Sequence, residues 1–252
     1  MSSFSHLPAA TASPLGTLYG IGVGPGDPEL ITVKALKRLQ AAPVVAFPAG
    51  LKGKVGVAER IVTPWLSAEQ IKLPLVFPYV LDEQTLLAAW HCTAEMVWPY
   101  LQRGDVVFAC EGDVSFYGTF TYLAQCLQQQ HPEAKVVAIA GVASPMAAAA
   151  ALGIPLTCQA ERMAVLPALY CAGLELEAAL NWAEVVVLMK VGSVYPQVWK
   201  ILERRQLLGQ SYVIENATRP EQKIYTDLRQ HPDLQLPYFS LLIVQCKART
   251  II

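Results

Sequence analysis

Residues 16–32 read GTLYGIGVGPGDPELIT. The run LYGIGV has the apolar character of a strand, yet Gly20, Gly22, Gly24 and Gly26 recur at alternate positions and Pro25, Asp27 and Pro28 close it. Glycine has no side chain to pack and the most conformational freedom to lose, so four in register mark a backbone that something must approach closely. Asp27-Pro28 then reads as the cap of a helix on which Ile31, Ala35 and Leu39 form an apolar stripe. The glycines therefore sit at a strand-to-helix turn.

Outward from that turn, strands and helices alternate. VVAF is a short strand, and Asp82 to Arg103 reads as a helix with Leu86, Trp90, Val97 and Leu101 on one face and Gly104 as its stop. VVFAC at 106–110 is wholly apolar, as a central parallel strand buried on both faces should be. A helix from Tyr117 to Gln130 follows, and HPEAK at 131–135 is the most polar break near the middle. The boundary is placed there, giving an N-terminal α/β domain over 16–133 and a C-terminal one over 134–252. Strands are expected at 163–167, 184–190, 211–216 and 238–245 with few helices among them, which predicts a mixed sheet in the second domain beside a mostly parallel one in the first.

The composition bounds the function. The 252 residues are 54% hydrophobic and 15% charged, enough for a substantial core and against disorder. A net charge of -1 supplies no general field for nucleic acid or an anionic membrane, so an anionic substrate must be held by local Lys or Arg. The six cysteines form no CxxC pair and the four histidines never fall at ligand spacing, so no metal site is expected. Residues 1–15 have no Lys or Arg ahead of an apolar core; they read as a loose tail, and the expected compartment is the cytoplasm. Residues 136–160 carry no charge, but Gly141, Pro145, Gly153 and Pro155 punctuate them. They read as strand, turn and a helix with Ser144 as N-cap and Gly153 as stop, rather than as a membrane span.

The glycine turn excludes several chemistries. Its spacing never gives G-x-G-x-x-G, the second strand end VVAFPAG lacks the ribose-binding acid, and no G-K-[ST] follows, which disfavours nicotinamide dinucleotides and excludes a Walker loop. A second constellation, CEGDVSFYGTF, puts Glu111, Gly112 and Asp113 at the carboxyl edge of a parallel sheet, where ligands of open α/β sheets bind. GVASP at 141–145 is a third glycine-bearing strand end leading into a helix.

Five stretches, YGIGVGPGDPELIT (19–32), EGDVSFYG (111–118), GVASPMAAAAALGIPL (141–156), ERMAVLPA (161–168) and VIENATRPEQKIY (213–225), together resemble the tetrapyrrole (corrin/porphyrin) methylase family. Within it, residues 73–97 and 111–127 are most similar to the branch that methylates the C-20 meso carbon of precorrin-2, metal-free or as its cobalt complex, on the way to cobalamin. The resemblance implies two α/β domains, S-adenosyl-L-methionine bound in a cleft between them, a tetrapyrrole substrate and a homodimer. It implies that the glycine-proline turn forms a wall of the site with Pro25 near the cofactor. Glu111, Gly112, Asp113 and Phe116 would line the pocket, Ala143 and Ser144 match the family's small pair, and Met189 its methionine after an apolar strand. Ala217 stands where many relatives have glycine, and Val114 where many have proline.

Asp113, Glu111 and Tyr117 are the candidates for catalysis, set against plainer roles: an Asp in a turn often binds backbone amides, and an aromatic at a helix start often packs. Lys190, Arg162, Arg219 and Lys223 lie near the motifs as candidates for the substrate's carboxylates, against the plainer role of solvated surface charge. The competing functions are a methylase acting on another carbon and a non-catalytic tetrapyrrole- or nucleotide-binding domain.

Overall fold

A strand buried on both faces has to lie inside a sheet, and Val106–Cys110 (β4) does so with every residue buried. The computed structural model describes residues 15–50, 54–78, 82–168 and 172–247. The expected tail lies outside them except for Leu15. The described residues form two compact units: one holds those of 15–23 and 31–141, the other Gly24–Leu30 with those of 142–247.

The first unit is a parallel sheet in the order β3-β2-β4-β1-β5, built from Thr17–Gly22 (β1), Val44–Pro48 (β2), Ile71–Leu75 (β3), β4 and Lys135–Ile139 (β5). Alternate side chains feed two cores. Leu18, Val106 and Phe108 meet the helices Glu83–Leu101 (α3) and Phe120–Gln130 (α4), whereas Ile21, Val45, Val107 and Ala109 meet Val33–Ala41 (α1) and Val57–Val62 (α2). The Phe108 and Phe120 rings stack with centroids 6.1 Å apart, and Phe120 lies so close to β1 that a β-carbon on Gly20 would fall 2.3 Å from its ring.

The second unit holds Ser144–Leu152 (α5), Met163–Pro167 (β6), Ala172–Leu180 (α6), Val185–Met189 (β7), Tyr195–Arg204 (α7), Ser211–Glu215 (β8), Lys223–Thr226 (β9) and Ser240–Gln245 (β10). Its sheet runs β6-β7-β10-β8-β9, with β6 parallel to β7 and the other pairings antiparallel, the mixed sheet expected. Helices α6 and α7 cover one face through Leu176, Tyr195, Val198 and Leu202.

Several local expectations change. Asp27 does not cap α1: its carboxylate accepts from the Glu29 amide, a short 3-10 turn covers Pro28–Leu30, and extended Thr32 caps α1 by accepting from the Ala35 amide at 3.3 Å. Ser144 is the first helical residue and Ala143 the N-cap, while Gly153 ends α5 in the left-handed conformation as expected. Helix α4 starts at Phe120 rather than Tyr117, because Tyr117 has a φ of 53° that no right-handed helix accommodates. The break at 131–135 lies one strand before the division of the units, since β5 pairs with β1. No described helix is long and apolar enough to cross a membrane.

Candidate functional site

The strand order of the first unit puts the ligand position at one place. The connection leaving β1 runs through α1 on one face of the sheet and that leaving the adjacent β4 runs through α4 on the other, so the chain parts to opposite faces at the carboxyl ends of these two neighbours. Ligands of doubly wound sheets bind at the carboxyl ends of the strands at such a switch point. The residues there are Gly22-Val23, Cys110 to Tyr117, and Ile139 to Gly141 at the end of neighbouring β5.

These ends converge without side chains between them. A β-carbon on Gly22 would fall 2.6 Å from the Cα of Gly141 and 2.7 Å from the carbonyl oxygen of Gly112, and one on Gly141 only 2.4 Å from that oxygen. Gly112 itself has a φ of +71°, which turns the chain away from β4 at small cost only for glycine. The Val23 amide donates to the Cys110 carbonyl at 2.9 Å, carrying the pairing one residue past β1.

Asp113 fastens the turn. Its Oδ2 accepts from the Gly141 amide at 2.7 Å, and its Oδ1 accepts from the Ser115 amide at 2.8 Å and the Ser115 hydroxyl at 2.5 Å. Burial pushes its carboxyl up, but the Ser115 hydroxyl and the Gly141 and Ser115 amides outweigh it and hold the group below the usual carboxylate value. Asp113 therefore stays ionised and its oxygens are committed to the turn, the plainer of the roles weighed from the sequence. Glu111 is half-buried beside it, and Phe116 packs edge-on against the exposed Tyr117 ring at 4.9 Å. Burial pushes the Cys110 thiol up to about 11, so it supplies no thiolate at neutral pH. The edge thus presents two carboxylates and no Lys or Arg among these residues, a donor set suited to a cationic sulfonium rather than a phosphate.

The remaining predicted residues belong to the second unit. Strands β6, β7 and β8 run the same way, so Met189, buried at the end of β7, shares an edge with Glu215 and the buried Ala217 beyond it. Pro25 joins this group: it is buried, and its carbonyl accepts from the Arg219 Nε at 3.1 Å. Ala143 and Ser144 are half-buried at the start of α5.

The candidate cations divide. Arg162 is paired with Glu184 at 3.1 Å, Arg219 is buried at 8% exposure, and Lys223 is exposed on the outermost strand β9. Lys190, just past β7, is half-buried with a φ of 60°, and its ammonium lies 5.1 Å over the Tyr238 ring. Sequence reasoning missed Ser115, and it missed the structural engagement of Arg219 because nothing near Arg219 in the chain announces Pro25 as its partner.

The sequence profile of the Tetrapyrrole (Corrin/Porphyrin) Methylases matches residues 17–232. The chain is 33% identical to the precorrin-2 C(20)-methyltransferase of Sinorhizobium sp over 91% of its own length and 95% of that protein's. It is 31% identical to the cobalt-precorrin-2 C(20)-methyltransferase of Salmonella typhimurium, over 91% and 96%. It is also 32% identical to the cobalamin biosynthesis protein CobIJ of Mycobacterium tuberculosis, of whose length it spans about half, 46%. Among solved structures, uroporphyrin-III C-methyltransferase from Thermus thermophilus complexed with S-adenosyl homocysteine shares the fold at a TM-score of 0.61 and 21% identity, over 91% of this chain and 97% of that one.

Proposed function

The chain belongs to the tetrapyrrole (corrin/porphyrin) methylases, and on that premise we propose that it transfers a methyl group from S-adenosyl-L-methionine to the C-20 meso carbon of precorrin-2 or cobalt-precorrin-2 in cobalamin biosynthesis. The choice of carbon is supported by the names of the Sinorhizobium and Salmonella relatives, each matched over nearly its whole length. The observation that carries the chemistry is the edge of the first sheet, glycine-floored, acid-bearing and without a cation among its residues.

When bound, the S-adenosyl group supplies an already activated methyl on a positively charged sulfur. What the chain must add is position. Pro25, Glu111, Gly112, Asp113, Phe116, Ala143, Ser144, Met189 and Ala217 are the proposed cofactor contacts. Because its oxygens already accept from Gly141 and Ser115, Asp113 acts by setting the turn and by its charge. Its lowered pKa makes it a poor proton acceptor, so removal of the meso proton falls to Glu111 or water. The carboxylates favour the cationic reactant over the neutral product, which aids exchange of product for fresh cofactor and orients without covalent help. The proposed working form is a cytoplasmic homodimer, which light scattering of the purified chain checks for assembly.

The test is an anaerobic incubation with S-adenosylmethionine and either metal-free or cobalt-loaded precorrin-2, following macrocycle mass. Gain of one methyl, located at C-20 by NMR, is expected on one substrate; no gain on either, with S-adenosylhomocysteine still bound, sends the activity to another macrocycle. Lys190 is assigned to a substrate carboxylate, its ammonium being held over Tyr238 at the strand edge. Lys190→Gln is expected to raise KM for the macrocycle about tenfold, the worth of one charge-assisted contact. KM for S-adenosylmethionine should not change, and an unchanged macrocycle KM removes Lys190 from the site.

A further inference from the structure

Gly24–Leu30 is grouped with the second unit, although Val23 before it and Ile31 after it belong to the first. Something in the second unit must hold this segment, and Pro25, Gly26 and Asp27 all meet residues 217–219. Arg219 is buried, its Nε donates to the Pro25 carbonyl at 3.1 Å, Nη1 reaches Asn216 Oδ1 at 3.5 Å, and Cζ lies 4.2 Å over the Phe239 ring. Gly26 rests on the stem of the same side chain, where a β-carbon would fall 2.4 Å from Arg219 Cγ and 2.9 Å from the Ala217 carbonyl oxygen. Next to it the Asp27 amide donates to Thr218 Oγ1 at 3.1 Å.

The receiving loop is itself in an unfavourable conformation. Asn216 has a φ of 49° and Thr218 of 66°, left-handed values that a β-branched residue such as threonine adopts only when its surroundings require it. The Thr218 amide is held by Gln222 Oε1 at 2.6 Å and the Asn216 amide by the Phe239 carbonyl at 2.8 Å. Burying a guanidinium is costly unless it is hydrogen-bonded, and arginine, unlike lysine, can stack on a ring while donating in its own plane.

We propose that Arg219 is a positioning residue: stacked on Phe239, it latches the glycine-proline segment by the Pro25 carbonyl and so presents Pro25 to S-adenosylmethionine. The latch deepens the methyltransferase reading and rests on it for the cofactor.

The test compares the full-length wild type with Arg219→Met and Arg219→Lys. Hydrogen exchange reads the amides of 24–30, calorimetry the affinity for S-adenosylhomocysteine, and steady-state kinetics both KM values. Arg219→Met is expected to speed exchange in 24–30 at least tenfold while β7 and β10 keep their protection. Affinity for S-adenosylhomocysteine and KM for S-adenosylmethionine should worsen about tenfold with the macrocycle KM unchanged, and Arg219→Lys should recover part of the loss. Unchanged exchange or unchanged affinity in a folded Arg219→Met overturns the proposal, as does equal loss of protection throughout the second unit. If Arg219→Met fails to fold, Phe239→Leu removes the seat of the guanidinium instead, with the same readings required. A wild type that binds no S-adenosylhomocysteine refutes the methyltransferase reading and the cofactor role with it, and exchange in 24–30 then decides the latch alone.

Discussion

Gly22→Ala is expected to destabilise the first unit by about 3 kcal/mol, the upper part of the range for overpacking, and to abolish binding of S-adenosylhomocysteine. The added methyl would lie 2.6 Å from the backbone of Gly141 and 2.7 Å from the Gly112 carbonyl oxygen, and backbone has no rotamer by which to retreat. Relief requires β1 to move from the ends of β4 and β5, which breaks the bond from the Val23 amide to Cys110 and the alignment of Gly141 with Asp113. The control is Gly104→Ala, where the nearest atom is the Pro43 ring at 3.5 Å, an ordinary contact; its effect should stay within about 0.5 kcal/mol. Denaturant unfolding of both variants measures the difference, and equal midpoints would refute the convergence of strand ends as the reason for glycine here.

The second large effect is expected at Asp113. Asp113→Ala strands the Gly141 and Ser115 amides that the carboxylate now serves, at about 2 kcal/mol, taken low because the carboxylate is only partly buried. It also frees the turn bearing Glu111, so affinity for S-adenosylhomocysteine should fall at least about tenfold. Asp113→Asn, which keeps one acceptor but turns an amide donor toward an N–H, should lie between the two. The pH dependence follows from the lowered carboxyl pKa. A group whose folded value is depressed contributes stability that is present above the unfolded value, about 3.9, and is lost as pH falls through the folded one. The gap between wild type and Asp113→Ala should therefore be constant at neutral pH and close only in strong acid. A gap that widens on acidification, or calorimetry with unchanged affinity, would take Asp113 out of the role assigned to it.

Much of the fold is legible in the chain because it rests on local chemistry. The run 106–110 is apolar throughout and becomes the strand buried on both faces; Asp82 caps α3 by accepting from Thr85, and Gly153 stops α5 in the left-handed conformation. Strand β3, read IKLPL, and β9, read KIYT, escaped notice because each lies at a sheet edge, where half-exposed mixed residues replace the apolar run.

At the candidate site the sequence by itself determined which residue types stand at the strand ends: glycines that demand close approach, acids without a cation, and a turn that is no phosphate cradle. Only the tertiary structure decided what makes each approach. Phe120 lies against Gly20, the backbone of Gly141 and Gly112 against Gly22, and Arg219 against Gly26. It likewise paired Asp113 with an amide 28 residues away, and Pro25 with a guanidinium 194 residues away. The physical reason is that a missing side chain announces a demand for space through its own backbone, whereas the group that fills the space is selected by packing between elements distant in sequence.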